Sequence, residues 1–272
     1  MRAWVLAIVW VVIAGCASEG SARAVVTRPD QILWREQAPG SAAQIATLWG
    51  DRATGAAGVL IRTPGGFHAG VHAHTSDYQG IVVAGTWAHS VGAIEERLPL
   101  GSHWFQPARE LHDDRCVSEE ACIVLILSSA PFARIAADSP AALATLRTPQ
   151  EIEAAVDRLQ GATWIRQSPD APGDLFALWG DRAAGGYGEL VRMAAGFDSG
   201  LHAHTGDYHG VLISGVWEHV EADGHGEGQE LLPGAYVMQP GMGMHIDRCK
   251  SSEGCIFFIQ QDVRADMVWP RR

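Results

Sequence analysis

Cationic residues are scarce in this 272-residue chain: 20 Lys and Arg stand against 31 Asp and Glu, a formal net charge of -11. Nucleic acid and anionic membrane surfaces would be repelled by such a charge, so neither is expected as a partner. Long apolar runs are also missing. The stretch from Ala3 to Gly15 is too short to cross a bilayer comfortably. No nucleophile elbow, phosphate-binding glycine loop or Ser/His/Asp arrangement is present. Gly185-Gly186-Tyr187-Gly188 resembles a nucleotide loop, but it aligns with Gly55 to Gly58 ahead of a strand and reads as a hairpin turn. Disorder is excluded as well, because hydrophobic residues make up 47% and charged residues only 19%.

What is present divides into three parts. Residues 1–20 read as an export signal, with Arg2 ahead of the apolar run and a small-residue end at Ile13-Ala14-Gly15-Cys16. That end resembles a bacterial lipobox, in which Cys16 is acylated and becomes the mature N-terminus. An ordinary signal peptide or a buried N-terminal strand is the competing reading. With no Asp after Cys16, the lipobox implies a periplasmic protein held at the outer membrane only by its lipid. The other four cysteines fall in equivalent spacings, Cys116-x5-Cys122 and Cys249-x5-Cys255. In an exported protein they read as two short-loop disulfides, and in a cytoplasmic one as buried thiols.

The rest of the chain is a repeat. Shifted by 130, Leu48–His89 overlays Leu178–His219 with 23 identities in 42 positions, and after a three-residue insertion Gly101–Cys116 overlays Gly234–Cys249. Short apolar runs between Gly-rich turns mark each copy as an all-β sandwich or barrel. The copies are assigned to 30–132 and 161–268. Between them, 133–160 forms a linker, in which Thr148-Pro149-Gln150-Glu151 starts a helix predicted over Pro149–Gln160.

Histidines carry the chemistry. Residues two apart on a strand share a face, so His72 and His74 project together, as do His202 and His204. His112 and His245 recur at equal places downstream and complete a set of three imidazoles per copy. Imidazole suits divalent Fe, Zn, Mn, Cu or Ni, and the pattern predicts up to two such ions per chain. Other repeated polar residues read more plainly. Asp51-Arg52 and Asp181-Arg182 are expected as turn ion pairs, and Asp114-Arg115 and Asp247-Arg248 either orient the third histidine or belong to the disulfide turn. His89 and His219 can face either way, with the site the less expected side. His68, His103, His209 and His225 lack counterparts and are expected at the periphery.

The combination Gly66-x5-His72-x-His74-x3-Tyr78-x6-Gly85 and Gly101-x5-Pro107-x4-His112 resembles the two motifs of the cupin superfamily. It is repeated at Gly196, His202, His204, Tyr208, Gly215, Gly234, Pro240 and His245. The resemblance spans nearly all of both copies and implies two tandem jelly-roll barrels joined by a short helical linker. It is nearest to an uncharacterised cupin family with the HAHTSDY detail. Cupins usually carry a glutamate ligand where Tyr78 and Tyr208 stand. A phenol is a poor ligand while protonated, so the expectation is a three-histidine site, with the tyrosine as hydrogen bonder or proton donor to substrate. Asp77 and Asp207 are the alternative fourth ligands. The resemblance implies a metal-dependent enzyme on a small molecule, of oxygenase type, or else a non-catalytic binding lipoprotein. It also implies barrels packed face to face, within the chain or in a homodimer.

Overall fold

The computed structural model describes residues 23–144, 147–159, 162–166, 173–222 and 228–270. The export signal, Cys16 and His225 lie outside the described residues. Among them, no helix is long and apolar enough to cross a membrane.

Each copy folds into two facing antiparallel sheets, as the alternation of buried and open positions along its strands requires. In the first, strands Val156–Asp157, His103–Gln106, Tyr78–Ala84, Cys122–Ser128, Ala57–Thr63, Gln44–Gly50 and Arg35–Glu36 lie side by side in that order. They are covered by a three-stranded sheet of Asp113–Cys116, Trp87–Val91 and Ile94–Leu98. The second repeats this with Val25–Thr27, Tyr236–Gln239, Tyr208–Ser214, Cys255–Gln261, Gly185–Met193, Gly173–Asp181 and Ile165–Arg166. Its cover is Gln229–Leu231, Trp217–Glu221 and His245–Cys249. The fold is two tandem jelly-roll barrels.

Two strands cross between the repeats. Val25–Thr27, ahead of the first barrel, pairs with Tyr236–Met238 of the second, and Val156–Asp157 from the linker pairs with His103 and Trp104 of the first. This second pairing explains why the linker helix is short. Its capping box forms, with Thr148 and Glu151 satisfying each other's backbone, but the helix covers only Pro149–Ala154 instead of reaching Gln160. The side chains of Val156 and Leu159 are drawn to the barrels: Val156 packs on the first barrel's core and Leu159 on the core between barrels.

That shared core is where the two large sheets meet. Leu60, Ile81, Leu125, Leu190, Val211 and Phe258 are fully buried there. Burial at roughly 25 cal/mol per Å² makes such a face a strong bond between the halves. His103 and His209 belong to this interface and not to the periphery. His103 is buried between Gln79 and Asp157, and His209 stacks on Trp49 with ring centroids 4.4 Å apart. His68 is exposed and pairs with Asp113. Both disulfides, Cys116–Cys122 and Cys249–Cys255, are formed.

Candidate metal centres

The third histidine meets the first through an antiparallel bridge. In the first barrel His72 and His112 exchange both backbone hydrogen bonds, at 2.9 and 2.8 Å, which sets their rings 4.4 Å apart. His202 and His245 do the same at 3.0 and 2.8 Å, with rings 4.3 Å apart. His74 and His204 join from two residues along. In each barrel, one nitrogen from every histidine lies within 4.8 Å of the other two.

The hydrogen bonds choose which nitrogen that is. A carbonyl only accepts, so each Nδ1 that faces one must carry the proton, leaving Nε2 with a bare lone pair. Nδ1 of His72 and His112 donates to the carbonyls of Gly70 and Glu110, at 2.8 and 2.9 Å. Nδ1 of His202, His204 and His245 donates to Gly200, Asp266 and Gly243, at 2.9, 2.6 and 2.9 Å. Burial keeps the rings neutral. It is the largest cause pushing His74 down to about 2, His112 to about 3 and His204 to about 4. Neutral imidazoles with convergent lone pairs are what a transition ion needs. In the second barrel Nε2 of His245 is buried with no hydrogen-bond partner. The donor set therefore fits a divalent metal.

Asp77 and Asp207 are not in this set. Both are exposed, and each uses Oδ1 to accept a backbone N–H, from Ala108 at 2.6 Å and Gly241 at 2.7 Å. The turn after the histidines points these carboxylates at the neighbouring loop, so they are turn residues and not ligands. Tyr78 and Tyr208 are buried and border the site, and burial raises both phenols well above their usual value. They keep their protons.

The acids that do reach the centres are Asp114 and Asp247. They lie two residues after the third histidine along extended backbone, hence on the same face. Asp114 Oδ2 stands 3.6 Å from Nε2 of His112, and Asp247 Oδ2 3.4 Å from Nε2 of His245. Each Oδ1 accepts from a tryptophan indole and a histidine, Trp87 and His89 or Trp217 and His219. His89 and His219 thus face inward, against the less favoured side, and form the layer behind the ligands. Burial opposes charge on His219, but Asp247 and Glu221 outweigh it and raise the ring to about 9.

The two centres differ in the space beside them. The second opens on a cavity of about 320 Å³, bordered by His202, His204, Tyr208, Val191 and Phe257. The first has about 40 Å³, room for little more than a water or two. Phe132 fills it, stacked on His74 with centroids 4.2 Å apart and 13° between planes. Its counterpart is Ala265, for both residues donate their backbone N–H to the carbonyl of the equivalent arginine, Arg52 or Arg182. Trp104, where the second barrel has Val237, closes the space further. A Cβ on Gly80 would lie 2.2 Å from its indole, which is why glycine stands there. Tyr78 hydroxyl is 3.4 Å from Nε2 of His112, and Nδ1 of His74 is buried without a partner.

Arg182 departs from the turn ion pair expected of it. Asp181 caps its own turn by accepting from Ala183, and Arg182 reaches the cavity to pair with Glu189.

Two jelly-roll barrels, each with a three-histidine group between its sheets, make a double cupin fold. Residues 25–267 match the family described as "Domain of unknown function (DUF4437)", and the chain belongs to it. No curated protein matches. Among solved structures, a "putative dioxygenase" from Nostoc punctiforme is similar at TM-score 0.67 and 16% identity, covering 92% of this chain and 88% of that one. A deletion variant of Bacillus subtilis oxalate decarboxylase gives 0.59 and 15%, covering 92% and 80%. The same enzyme, in a study of its Mn(II) centres, gives 0.58 and 16% over the same shares. At these identities the likeness is one of fold.

Proposed function

We propose that the chain is a metal-dependent enzyme acting on a small molecule at the second barrel's centre, by oxygenase-type chemistry, with the first centre holding its ion for structure. The open cavity beside His202, His204 and His245 carries this reading, since a reacting molecule needs room that the first centre lacks. The fold likeness to the Nostoc protein supports the reaction type, and the Mn(II) of the decarboxylase supports a divalent ion such as Mn, Fe, Zn, Cu or Ni.

A divalent ion held by the three Nε2 atoms would supply Lewis acidity and open positions for a ligand's adjacent oxygens. The chain's own residues shape what comes near it. Val191 and Phe257 keep the cavity wall dry, and Tyr208 holds a proton at its hydroxyl beside the centre. His219 and Asp247 form a charged pair beside His245, whose ring is fixed by the Nδ1 bond to Gly243. The setting we propose is the periplasm, with Cys16 lipidated at the outer membrane. The two disulfides support an oxidising compartment.

The test is metal content followed by turnover. Protein purified without a histidine tag should hold about two divalent ions per chain. Iron-loaded protein, screened on catechols, diketones and flavonoids, should consume oxygen and form product. His202→Ala should abolish turnover, and His72→Ala should spare it. Tight binding with no turnover on any substrate would move the protein to the receptor class.

A further inference from the structure

The second cavity carries polar groups on the large sheet, which faces the sheet that bears His245. Along Gly185–Met193, the inward positions are Tyr187, Glu189, Val191 and Met193. In the first barrel the first two of these are Ala57 and Val59. Tyr187 donates to Oε1 of Gln261 at 2.9 Å, and Gln261 replaces Ser128. Glu189 is 1% exposed, with Arg182 Nε 2.6 Å from its Oε2. Burial raises its carboxyl above the ordinary range, against the pull of Arg182.

The barrel does not need this arrangement in order to fold. The first copy builds the same strand pair from alanine, valine and serine, and a buried ion pair is at best weak support for stability. A buried carboxyl beside an opened cavity is instead suited to recognition. With Ala265 where the first barrel has Phe132, and Glu189 where it has Val59, space and a polar contact occur in the same barrel.

We infer that Arg182, Glu189, Tyr187 and Gln261 form a second ligand subsite in this cavity. It takes the far end of a flat, apolar-bodied molecule whose near end offers adjacent oxygens to the histidine centre. The far end carries a hydroxyl or similar group. Glu189 accepts its hydrogen bond, and the Arg182 and Tyr187 side chains border the same spot. The near-end contact rests on the metal reading above; the far-end contact does not. The cavity volume sits at the low end of small-molecule sites, roughly 300–1,000 Å³, which limits the ligand to a compact ring system.

The experiment compares two ligands of equal shape, 3,4-dihydroxybenzyl alcohol and 4-ethylcatechol, which differ in a terminal OH against CH3. Their binding to the full chain is followed by calorimetry, with metal content measured in parallel. Wild type should prefer the alcohol by roughly tenfold or more, because the ethyl group leaves the acceptor positions of Glu189 that Arg182 does not fill without a partner. Glu189→Val, which installs the first barrel's residue, should remove or reverse that preference while metal content stays the same. Glu189→Leu and Glu189→Met, close in size and without an acceptor, serve the same purpose should the valine variant fail to fold. An equal preference in wild type and all folded variants overturns the subsite, as does no measurable binding of either ligand. His204→Ala separates the two readings. Loss of metal with the alcohol preference kept leaves the subsite standing without the metal, and metal-dependent binding with no preference leaves the metal without the subsite.

Discussion

The two barrels share their ligand geometry and the acid, tryptophan and histidine layer next to it, and differ in the space beside them. The His72–His112 and His202–His245 bridges have the same hydrogen bonds within 0.1 Å and ring separations of 4.4 and 4.3 Å. Beside them, about 40 Å³ in one barrel becomes about 320 Å³ in the other. The backbone fixes the imidazoles, and a few side chains fix access. A duplicated fold can therefore keep two metal-ready centres and open only one of them.

The sharpest way to break this comparison is to exchange the residues that set access. Ala265→Phe should fill the second cavity and abolish small-molecule binding there, while all three histidines stay in place and metal content is unchanged. Calorimetry and metal analysis read the two effects separately. Loss of metal together with ligand binding would mean that Ala265 supports the histidines directly, and the division between geometry and access would fall.

The reverse exchange should be costly. Phe132 is 6% exposed, stacks on His74 and meets Tyr78 edge to face, so Phe132→Ala removes a well-packed ring and should cost about 3–5 kcal/mol in chemical denaturation. It should also give the first centre a measurable affinity for small chelators. A loss under 1 kcal/mol would show that the ring is loosely held and that the small volume there is not a packed state.

The disulfides offer a control in which the barrels should behave alike. Both close six-residue separations with Cα atoms 5.7 and 5.8 Å apart. Loop-closure entropy gives about 2 kcal/mol for each. Cys116→Ser/Cys122→Ser and Cys249→Ser/Cys255→Ser should lower stability by similar amounts, read as equal shifts in denaturant midpoint. A difference beyond a factor of two would place one disulfide in a strained or redundant position.

The sequence revealed the part of this molecule that repeats. His72, His74 and His112 and their partners stand at periodic strand positions with matched spacing, and the cysteines follow the same rule, so duplication itself exposed them. What the sequence concealed depends on register and on residues that differ between copies. Asp114 and Asp247 required knowing that the chain is already extended at the third histidine, and His89 and His219 required the pairing that sets them opposite those acids. Asp77 and Asp207 looked like ligands because they sit close to the histidines in sequence, yet the turn gives their oxygens to backbone N–H groups. Glu189 and Ala265 carried a signal that was available, a charged residue aligned with Val59 and a small one aligned with Phe132. It lies in the mismatches between the copies, whereas the matches carry only what both barrels share. The crossing of Val25–Thr27 and Val156–Asp157 had no local signature, because each pairs with residues far along the chain.

The narrowest expected effect is an alkaline pH dependence confined to one barrel. In metal-free protein, His219 is held up to about 9 by Asp247 and Glu221, against an ordinary value of 6.5. A folded-state value above the unfolded one means the native state binds the extra proton. The stabilisation is therefore complete below about pH 6.5 and is lost as pH rises through about 9. Acid has the opposite effect through His74, His112 and His204. Their lowered values mean that the unfolded chain takes up protons first, so stability falls from about pH 6.5 downward. Hydrogen exchange of strand Trp217–Glu221 should thus accelerate between pH 7 and 9, beyond the intrinsic base-catalysed rate, and His219→Gln should flatten that rise. An unchanged slope in the variant would show that His219 is neutral in the fold and that the Asp247 contact is an ordinary hydrogen bond.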